Sequence, residues 1–303
     1  MRFKGLDLNL LVALDMLLDE RNVTRAAQRM NVGQPAMSAA LARLRDHFGD
    51  DLLAVTGRRL MPTALAETLR QPLREAILQI EAVVGMERNF VPATSQRHFA
   101  IEMPDYLVPV LLPVLTRRLS HAAPGIVLEL RSPSRDPSAL LHKGELDLLI
   151  TPGIYSDPDY PSEVLASTHL VLVGWADNPD LQQQPSLATV RRLQQAIVPF
   201  DRIRLARLLT EDQLELYGGK GRVGLIVPNF SCIPPSLVGT NLISLLDARL
   251  AATLIQNLPL VVWDVPIAMP TMDDVMMFHP LRDHDGGLQW LRSELHAATA
   301  TLG

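Results

Sequence analysis

The sequence predicts a winged helix-turn-helix, followed by a long dimerisation helix and a larger α/β region. Near the N-terminus, apolar residues recur at helical spacing in three short segments separated by polar or glycine breaks. The segment that follows carries a single apolar stripe over several helical turns. After Pro92, strand-like runs alternate with helical ones, which is typical of α/β units with a mainly parallel sheet.

The chain is acidic overall but carries a local excess of positive charge. Its 303 residues allow two or three domains, and 48% hydrophobic residues allow a sizeable core. The net charge of −5 argues against a protein that coats nucleic acid with its whole surface. Residues 21–59 nevertheless hold seven arginines against three aspartates. This distribution is typical of a DNA-binding head on a body with another role.

Cysteine use and hydropathy indicate where the protein works. The single cysteine, Cys232, excludes an intramolecular disulfide and fits a reducing cytosol. The N-terminus lacks the apolar core and cleavage site of a signal peptide. No stretch contains eighteen uninterrupted apolar residues. We therefore expect a cytoplasmic protein with no membrane partner.

Three helices are predicted first. Leu6–Leu18 places its leucines on one helical face, and Val23–Met30 forms a shorter second helix. The turn that follows is Asn31-Val32-Gly33, in which Gly33 is free to take a positive φ. The third helix is Gln34–Phe48, and Gly49 ends it.

A wing and a long helix follow. Asp51–Pro62 alternates apolar residues with Arg58 and Arg59 at its tip, which predicts two short strands. Ala64–Val84 is expected to be helical, with a local kink at Pro72. Because a lone helix with such a stripe needs a partner, we expect it to pair with its twin in a dimer. The stripe consists of Leu65, Leu69, Leu73, Ile77, Ile80 and Val84.

The α/β region could form one large domain or two lobes. Its expected strands are His98–Met103, Ile126–Arg131, Leu146–Thr151, His169–Gly174, Ala196–Pro199, Arg222–Val227, Leu242–Leu245, Leu260–Asp264 and Asp274–Phe278. Its expected helices are Tyr106–Ser120, Leu205–Leu216, Asp247–Gln256 and Gly287–Thr299.

The predicted third helix carries the candidate base contacts. The second helix of a helix-turn-helix pair enters the major groove with its N-terminal end first. We therefore expect Gln34, Pro35 and Ser38 to reach base edges, and Gln34 can bond adenine through two hydrogen bonds. Arg43 and Arg45, farther along, are expected to contact phosphates or to stay solvated. Thr24, at a helix N-terminus, can donate to phosphate together with backbone amides.

The wing supplies a further candidate contact. Arg58 can enter the minor groove or neutralise phosphate. Periodicity alone leaves an alternative open, because three short amphipathic helices could also pack inside an enzyme.

Several motifs in this region resemble the LysR-type transcriptional regulators. They occur in order over the first 85 residues, and a weaker resemblance covers the rest of the chain. The nearest subgroup is that of the nodulation-gene and aromatic-degradation regulators. The motifs are Leu8-Asn9-Leu10-Leu11, Arg25-Ala26-Ala27, Gln34-Pro35-Ala36-Met37-Ser38, Leu44-Arg45, Phe48-Gly49-Asp50-Asp51-Leu52 and Pro62-Thr63.

The resemblance implies how the chain is divided. It places a DNA-binding domain at residues 1–63, a dimerisation helix and hinge at 64–91, and an effector-binding domain at 92–303. The last resembles a two-lobed periplasmic solute-binding fold. Lobe I would comprise 92–163 and 266–303, and lobe II would comprise 164–265. The crossovers would lie near Glu163-Val164 and Val265-Pro266.

The same resemblance carries DNA contacts onto this chain. Family contacts map onto Gln34, Pro35, Ser38 and Arg58. Ala39 departs from the pattern, because many relatives carry a basic or polar residue there. A direct base contact from Ala39 is therefore not expected.

The resemblance implies an effector site between the lobes, and its candidate residues follow strands, because ligands of parallel sheets sit beyond the carboxyl ends of strands. His169 matches a pocket histidine of the aromatic-responsive members, although a structural histidine is equally compatible. The phenylalanines could instead be core residues. Asp105 could cap its helix, but at the cleft it would oppose anions and favour a neutral phenolic or chlorinated aromatic. The candidates are Pro104, Asp105, Ser134, His169, Phe200, Asn229 and Phe230.

Other signals do not carry a function. His279 and His284 lie around a predicted turn at a spacing that suits no helical metal pair, and we interpret Asp273-Asp274 as a surface turn. Gly218–Gly221 lacks the phosphate-loop pattern. We find no catalytic signature and expect no cofactor or metal. An α/β enzyme and a transport-type binding protein with a dimerising head remain as rival hypotheses.

The leading hypothesis is a LysR-type regulator rather than an enzyme. We expect an activator of aromatic-compound catabolism that binds an inverted-repeat promoter site as a dimer of dimers, a homotetramer. A small aromatic inducer and RNA polymerase are its further expected partners.

Overall fold

The computed structural model describes residues 2–3, 6–56, 59–84, 90–199, 209–216 and 222–302. The chain divides into two compact units, residues 1–87 and 88–303. The first contains the expected head together with the long helix, which clusters with the head rather than apart from it. The second contains the α/β region.

The first unit has the predicted order of three helices, a wing and a long helix. Its strands are β1 (Arg2–Phe3), β2 (Leu6–Asp7), β3 (Leu53–Thr56) and β4 (Arg59–Pro62). Its helices are α1 (Asn9–Glu20), α2 (Val23–Arg29), α3 (Gln34–Phe48) and α4 (Ala64–Val84). Its core joins leucines of α1 and α3 to Leu52, Leu53 and Leu73.

The beginning of α1 differs from the expectation. The helix begins at Asn9 rather than Leu6, because Leu6 pairs with Phe3 in a short antiparallel ladder. The Asp7 carboxylate also accepts the amide N–H of Asn9, which satisfies a donor at the helix start.

The turn between α2 and α3 also differs. Asn31 takes the left-handed conformation with a φ of 53°, whereas Gly33 lies at −69° and is the N-cap of α3. Asparagine tolerates the left-handed region, so the residue with the positive φ lies two positions before the glycine. At the other end of α3, Gly49 does have a positive φ of 62°, and its N–H donates to Arg45 O.

The second unit contains strands and helices in alternation. Its strands are β5 (His98–Glu102), β6 (Val127–Arg131), β7 (Leu148–Pro152), β8 (Ser162–Thr168), β9 (Leu170–Trp175), β10 (Gln195–Ile197), β11 (Val223–Ile226), β12 (Ile243–Asp247), β13 (Leu260–Asp264) and β14 (Met272–Met277). Its described helices are α5 (Val108–Ala122), α6 (Pro137–His142), α7 (Leu187–Arg192), α8 (Glu211–Leu216), α9 (Ile233–Leu237), α10 (Ala248–Leu254) and α11 (Gly286–Thr299).

These strands form two sheets, one for each lobe. Lobe I has the order β6-β5-β7-β14-β8, and lobe II has the order β11-β10-β12-β9-β13. In each sheet three neighbouring strands are parallel, and the other two join in antiparallel pairs. The sheets are therefore mixed rather than mainly parallel, and only lobe I is left and re-entered by the chain, which returns to it with β14.

The strand β8 was not expected from the sequence. It is an edge strand of lobe I with a largely polar pattern, Ser162–Thr168, so it lacks the apolar run of a central strand. Since β8 belongs to lobe I and β9 to lobe II, the chain passes between the lobes at His169 rather than near Glu163-Val164. It returns between Asp264 and Met272, a stretch that includes the expected second crossover.

Across the described ranges, no helix is both long and apolar enough to cross a membrane.

Candidate functional site

The N-terminal half of α3 presents a small, exposed surface. Met37, Leu41 and Leu44 are buried against α1 and α2, which turns the opposite side of the helix outward. Gln34, Pro35 and Ser38 are all exposed on that side. The structure thus brings together the three residues that the sequence analysis places at base edges.

Thr24 lies in the first turn of α2 and is exposed. The N-cap of this helix is Asn22, whose side-chain oxygen accepts the amide N–H of Arg25 at 3.0 Å. Thr24 is therefore not used as the cap, and its hydroxyl lies at the surface near the amino end of the helix.

The two arginines in the second half of α3 differ in their contacts. Arg43 is exposed. The Arg45 guanidinium donates to the carbonyl oxygens of Asp51 and Leu53, both at 2.8 Å. Arg45 is thus a brace between α3 and the wing, whereas the sequence suggested phosphate contact or solvation.

A second set of contacts fixes the wing to α4. One Asp50 carboxylate oxygen accepts the Leu52 amide N–H and the Thr63 hydroxyl, both at 2.6 Å. The Thr63 hydroxyl oxygen accepts the Ala66 amide N–H in the first turn of α4. The predicted wing contact, Arg58, lies outside the described residues.

The helix α4 is held on α1 by a buried ion cluster. The Arg74 guanidinium donates to Asp15 at 2.9 Å and to Asp19 at 2.6 Å, and Arg74 is 7% exposed. Burial raises the pKa of the Asp15 carboxyl above its ordinary value, against the lowering effect of Arg74. This cluster positions the long helix on the head.

The predicted effector residues of lobe I lie at the carboxyl ends of its strands. Pro104 and Asp105 follow β5, and Ser134 follows β6. The Ser134 amide N–H donates to a carboxylate oxygen of Glu102, the last residue of β5, at 2.9 Å. The loops after β5 and β6 are therefore tied together at this edge of the sheet.

Asp105 reaches lobe II instead of capping a helix. Its carboxylate accepts the Ser231 amide N–H at 3.1 Å and faces the Ser231 hydroxyl at 3.4 Å. The helix α5 starts after it and has no side-chain cap. Beside this link, the rings of Tyr106 and Phe230 meet edge to face, with centroids 5.6 Å apart.

A buried ion network also joins the lobes, and the sequence analysis missed it. Asp274 is 1% exposed in β14, which corrects the interpretation of Asp273-Asp274 as a surface turn. One of its oxygens accepts the Tyr106 hydroxyl, and the other accepts Arg249 of α10 at 2.7 Å. Arg249 also donates to Asp247 at 2.7 Å.

Burial governs the electrostatics of this network. It raises the pKa of the Asp274 carboxyl, although the bonds from Tyr106 and Arg249 act in the opposite direction. It also disfavours the charged Arg249 guanidinium, but the carboxylates of Asp247 and Asp274 outweigh burial and raise the pKa of Arg249. The apolar strand context of Asp274 was the only sequence signal for this residue.

The remaining effector candidates are spread over lobe II and the lobe passage. Phe230 contributes to a mostly apolar concavity at the carboxyl end of β10, with Ile197, Ile233 and Ser244 among its lining residues. Asn229 is exposed beside it. His169 is exposed in the passage between β8 and β9, and its carbonyl accepts the Ala248 N–H. Phe200 lies outside the described residues.

Comparison with known proteins identifies both halves of the chain. Residues 8–67 match the model of the bacterial regulatory helix-turn-helix protein, lysR family, and residues 92–300 match the LysR substrate binding domain. Nodulation protein D 2 of Sinorhizobium fredii is 39% identical over 97% of this chain and 94% of its own length. Nodulation protein D 3 of Rhizobium leguminosarum bv. phaseoli is 38% identical over the whole of both chains.

Solved structures agree with this result. A probable transcriptional regulator from Pseudomonas aeruginosa is 27% identical, with a TM-score of 0.63 over 96% of each chain. The regulatory domain of MexT, described as a transcriptional activator in Pseudomonas aeruginosa, is 28% identical, with a TM-score of 0.57 over 68% of this chain and all of its own. Full-length OxyR from the same organism shares the fold, with a TM-score of 0.73 at 16% identity over 97% of this chain and 95% of its own.

Proposed function

The chain belongs to the LysR family of DNA-binding transcriptional regulators, and from this premise we propose that it activates transcription in response to a small, neutral aromatic inducer. The family consists of regulators rather than enzymes. Its members bind promoter DNA and small-molecule inducers and assemble into oligomers. The proposal adds the inducer class, the direction of regulation and the mode of assembly.

The exposed surface at the start of α3 supports the mode of DNA reading. Gln34 and Pro35 stand in its first turn, and Ser38 lies one turn later on the exposed side. In this proposal the amide of Gln34 reads adenine, and Pro35 meets a thymine methyl group. Thr24, Arg43 and Arg58 bind phosphates and fix the register.

The contact between Asp105 and Ser231 is the observation that carries the proposed inducer class. It puts a carboxylate at the seam between the lobes, where a carboxylate ligand would meet a like charge. The neighbouring Tyr106 and Phe230 rings provide aromatic surface at the same seam. A neutral phenolic or chlorinated aromatic compound satisfies both features, with Pro104, Ser134, His169, Phe200 and Asn229 as further contacts.

The similarity to the regulatory domain of MexT supports an activator. An activator needs RNA polymerase as a partner at the promoter. We propose that α4 pairs two protomers and that two such dimers bind an inverted repeat as a homotetramer. Inducer binding then changes the geometry of the lobes and, through the assembly, the spacing of the DNA heads.

An electrophoretic mobility shift on the DNA upstream of the protein's own gene tests the DNA half of the proposal. We expect a sequence-specific shift at moderate salt, and footprinting of the same DNA should give a pattern of protection that changes when 3-chlorophenol is added. Gln34→Ala relaxes the preference at one base position, whereas Arg43→Ala weakens all sequences alike and flattens the salt dependence. Absence of any sequence-specific shift would contradict the proposal.

A further inference from the structure

The carboxylate of Glu102 is buried with only one of its two oxygens bonded. Glu102 is the last residue of β5 and is 2% exposed. Oε1 accepts the amide N–H of Ser134 at 2.9 Å. Oε2 is buried and has no hydrogen-bond partner within the part of the chain that the structure describes.

Other buried carboxylates of this unit are satisfied at both oxygens. Asp147 accepts the Ala100 N–H and the Arg282 guanidinium. Asp247 binds the first amides of α10 through one oxygen and Arg249 through the other. Asp274 accepts Tyr106 and Arg249. Glu102 thus departs from the pattern that the same fold applies to its other buried carboxylates.

An unsatisfied buried acceptor lowers stability, so a polar oxygen of this kind needs an explanation. Glu102 lies at the carboxyl edge of the parallel strands of lobe I, two residues before Pro104. Ser134, which is bonded to it, is exposed. Ligands of α/β sheets sit at such edges.

We propose that Glu102 determines the ligand's hydrogen-bonding character: its free oxygen accepts a hydroxyl group donated by the inducer, and a compound that presents a carboxylate is rejected. This inference rests on the proposed effector site and identifies the carboxylate that selects between hydroxylated and carboxylate ligands there. The inducer is therefore a hydroxylated, neutral aromatic, with its donor turned toward lobe I. Asp105, at the lobe seam, adds a second negative charge against anions.

The test uses the full chain near neutral pH with two matched probes, 3-chlorophenol and 3-chlorobenzoate. Apparent dissociation constants come from the shift of the thermal unfolding midpoint with probe concentration. We expect the wild type to bind the phenol at least tenfold more tightly than the benzoate. Glu102→Gln replaces the free oxygen by an NH₂ donor, so the preference for the phenol should fall at least tenfold or reverse.

Two further variants separate recognition from folding. Glu129→Gln, on the neighbouring strand β6 and half-exposed at its side chain, should keep the wild-type preference. Glu102→Leu removes the unsatisfied oxygen and also the acceptor of the Ser134 N–H, which water can replace because Ser134 is exposed. Its midpoint without probe should therefore stay near that of the wild type while phenol binding is lost. A lower midpoint with an unchanged phenol preference would make Glu102 a purely structural residue and overturn the inference.

The remaining outcomes distinguish the inference from the proposed function. If Glu102→Gln binds the phenol like the wild type, the inference fails and the aromatic inducer stands. If the wild type prefers the benzoate or binds neither probe, both the inference and the neutral aromatic inducer fail. The mobility shift without inducer tests DNA binding independently of either result.

Discussion

Arg43 and Arg45 show that two neighbouring residues of one type can have unlike roles. They stand two positions apart on α3, yet Arg43 is exposed and Arg45 donates to two carbonyl groups of the wing. A guanidinium is suited to such bridging because its donors lie in a fixed fork. The position of an arginine on a basic helix is therefore not enough to assign it a phosphate contact.

A pair of alanine variants tests this difference. Arg45→Ala should lower the free energy of unfolding of the head by about 2 kcal/mol, because two hydrogen bonds from a charged donor are lost. Arg43→Ala should leave unfolding unchanged and reduce the salt dependence of DNA binding. Thermal unfolding and mobility shifts at several salt concentrations measure both. Equal free energies of unfolding of the two variants would show that Arg45 does not stabilise the contact between α3 and the wing.

The Asp285 carboxylate should make the stability of the protein depend on pH. Its carboxylate binds the Arg97 guanidinium through both oxygens and accepts the Leu288 N–H at the start of α11. Burial raises the pKa of Asp285, but the bonds from Arg97 and Leu288 outweigh it, and the pKa lies below its ordinary value.

The lowered pKa of Asp285 determines how the stability changes with pH. A lowered pKa contributes stability above the ordinary pKa of aspartate, about 3.9, which is lost as the pH falls through the lowered value. Asp285→Asn should therefore cost about 2 kcal/mol at pH 7 and progressively less below about pH 4. Urea unfolding across this range measures it. A difference that does not change with pH would rule out the charged pair as its cause.

At the scale of elements, the stripe of α4 serves two purposes. Leu73 is buried in the core of the head, and Leu69 and Ile77 pack against that core. Leu65 stays 37% exposed, and Ile80 is partly exposed. The helix therefore buries part of its apolar stripe against its own head and leaves part of it exposed.

A charge placed on the remaining stripe should prevent assembly. Leu65→Glu combined with Ile80→Glu would bury two unpaired carboxylates in a dimer, which is strongly unfavourable. We expect a tetramer or dimer in the wild type and a monomer in the double variant, measured by light scattering after gel filtration. Gln79→Glu, at an exposed polar position of the same helix, is the matched control. A double variant that assembles like the control would place the dimer contact elsewhere.

At the scale of the whole chain, the two lobes are joined by polar contacts of different depth. The network of Tyr106, Asp274, Arg249 and Asp247 is buried, whereas the Asp105–Ser231 contact is more exposed. Removing one member of a buried network leaves its partners as uncompensated charges. The deep network is therefore expected to contribute more to holding the lobes together than the outer contact does.

Replacement of Arg249 tests whether the buried network holds the lobes together. Arg249→Met should lower the stability of residues 88–303 by about 3 kcal/mol, because Asp274 stays buried without its cation. It should also reduce the change in DNA protection that the inducer causes. Arg222→Met in the same lobe removes an exposed arginine and should do neither. Differential scanning calorimetry and footprinting with and without 3-chlorophenol provide the measurements. If the inducer changes DNA protection in Arg249→Met as much as in the wild type, the buried network does not transmit the effect of the inducer.

The sequence by itself determined the head, because its signals are local. Periodic leucines, Gly49 at a helix end and Pro35 in a first turn act within a few residues of the structure that they specify. The same is true of the apolar central strands. The positions of the exposed Gln34 and Ser38 followed from these local rules and from the family motifs.

Only the tertiary structure decided the rest. The chain passes between lobes at His169 because the polar edge strand β8 pairs with β14, a strand far along the sequence. Tyr106 and Asp274 are 168 positions apart, and Asp105 and Ser231 are 126 apart. Bonds of this kind depend on which chain segments meet after folding, and no local period or cap encodes them. The unbonded oxygen of Glu102 is recognisable only once every nearby donor has been placed.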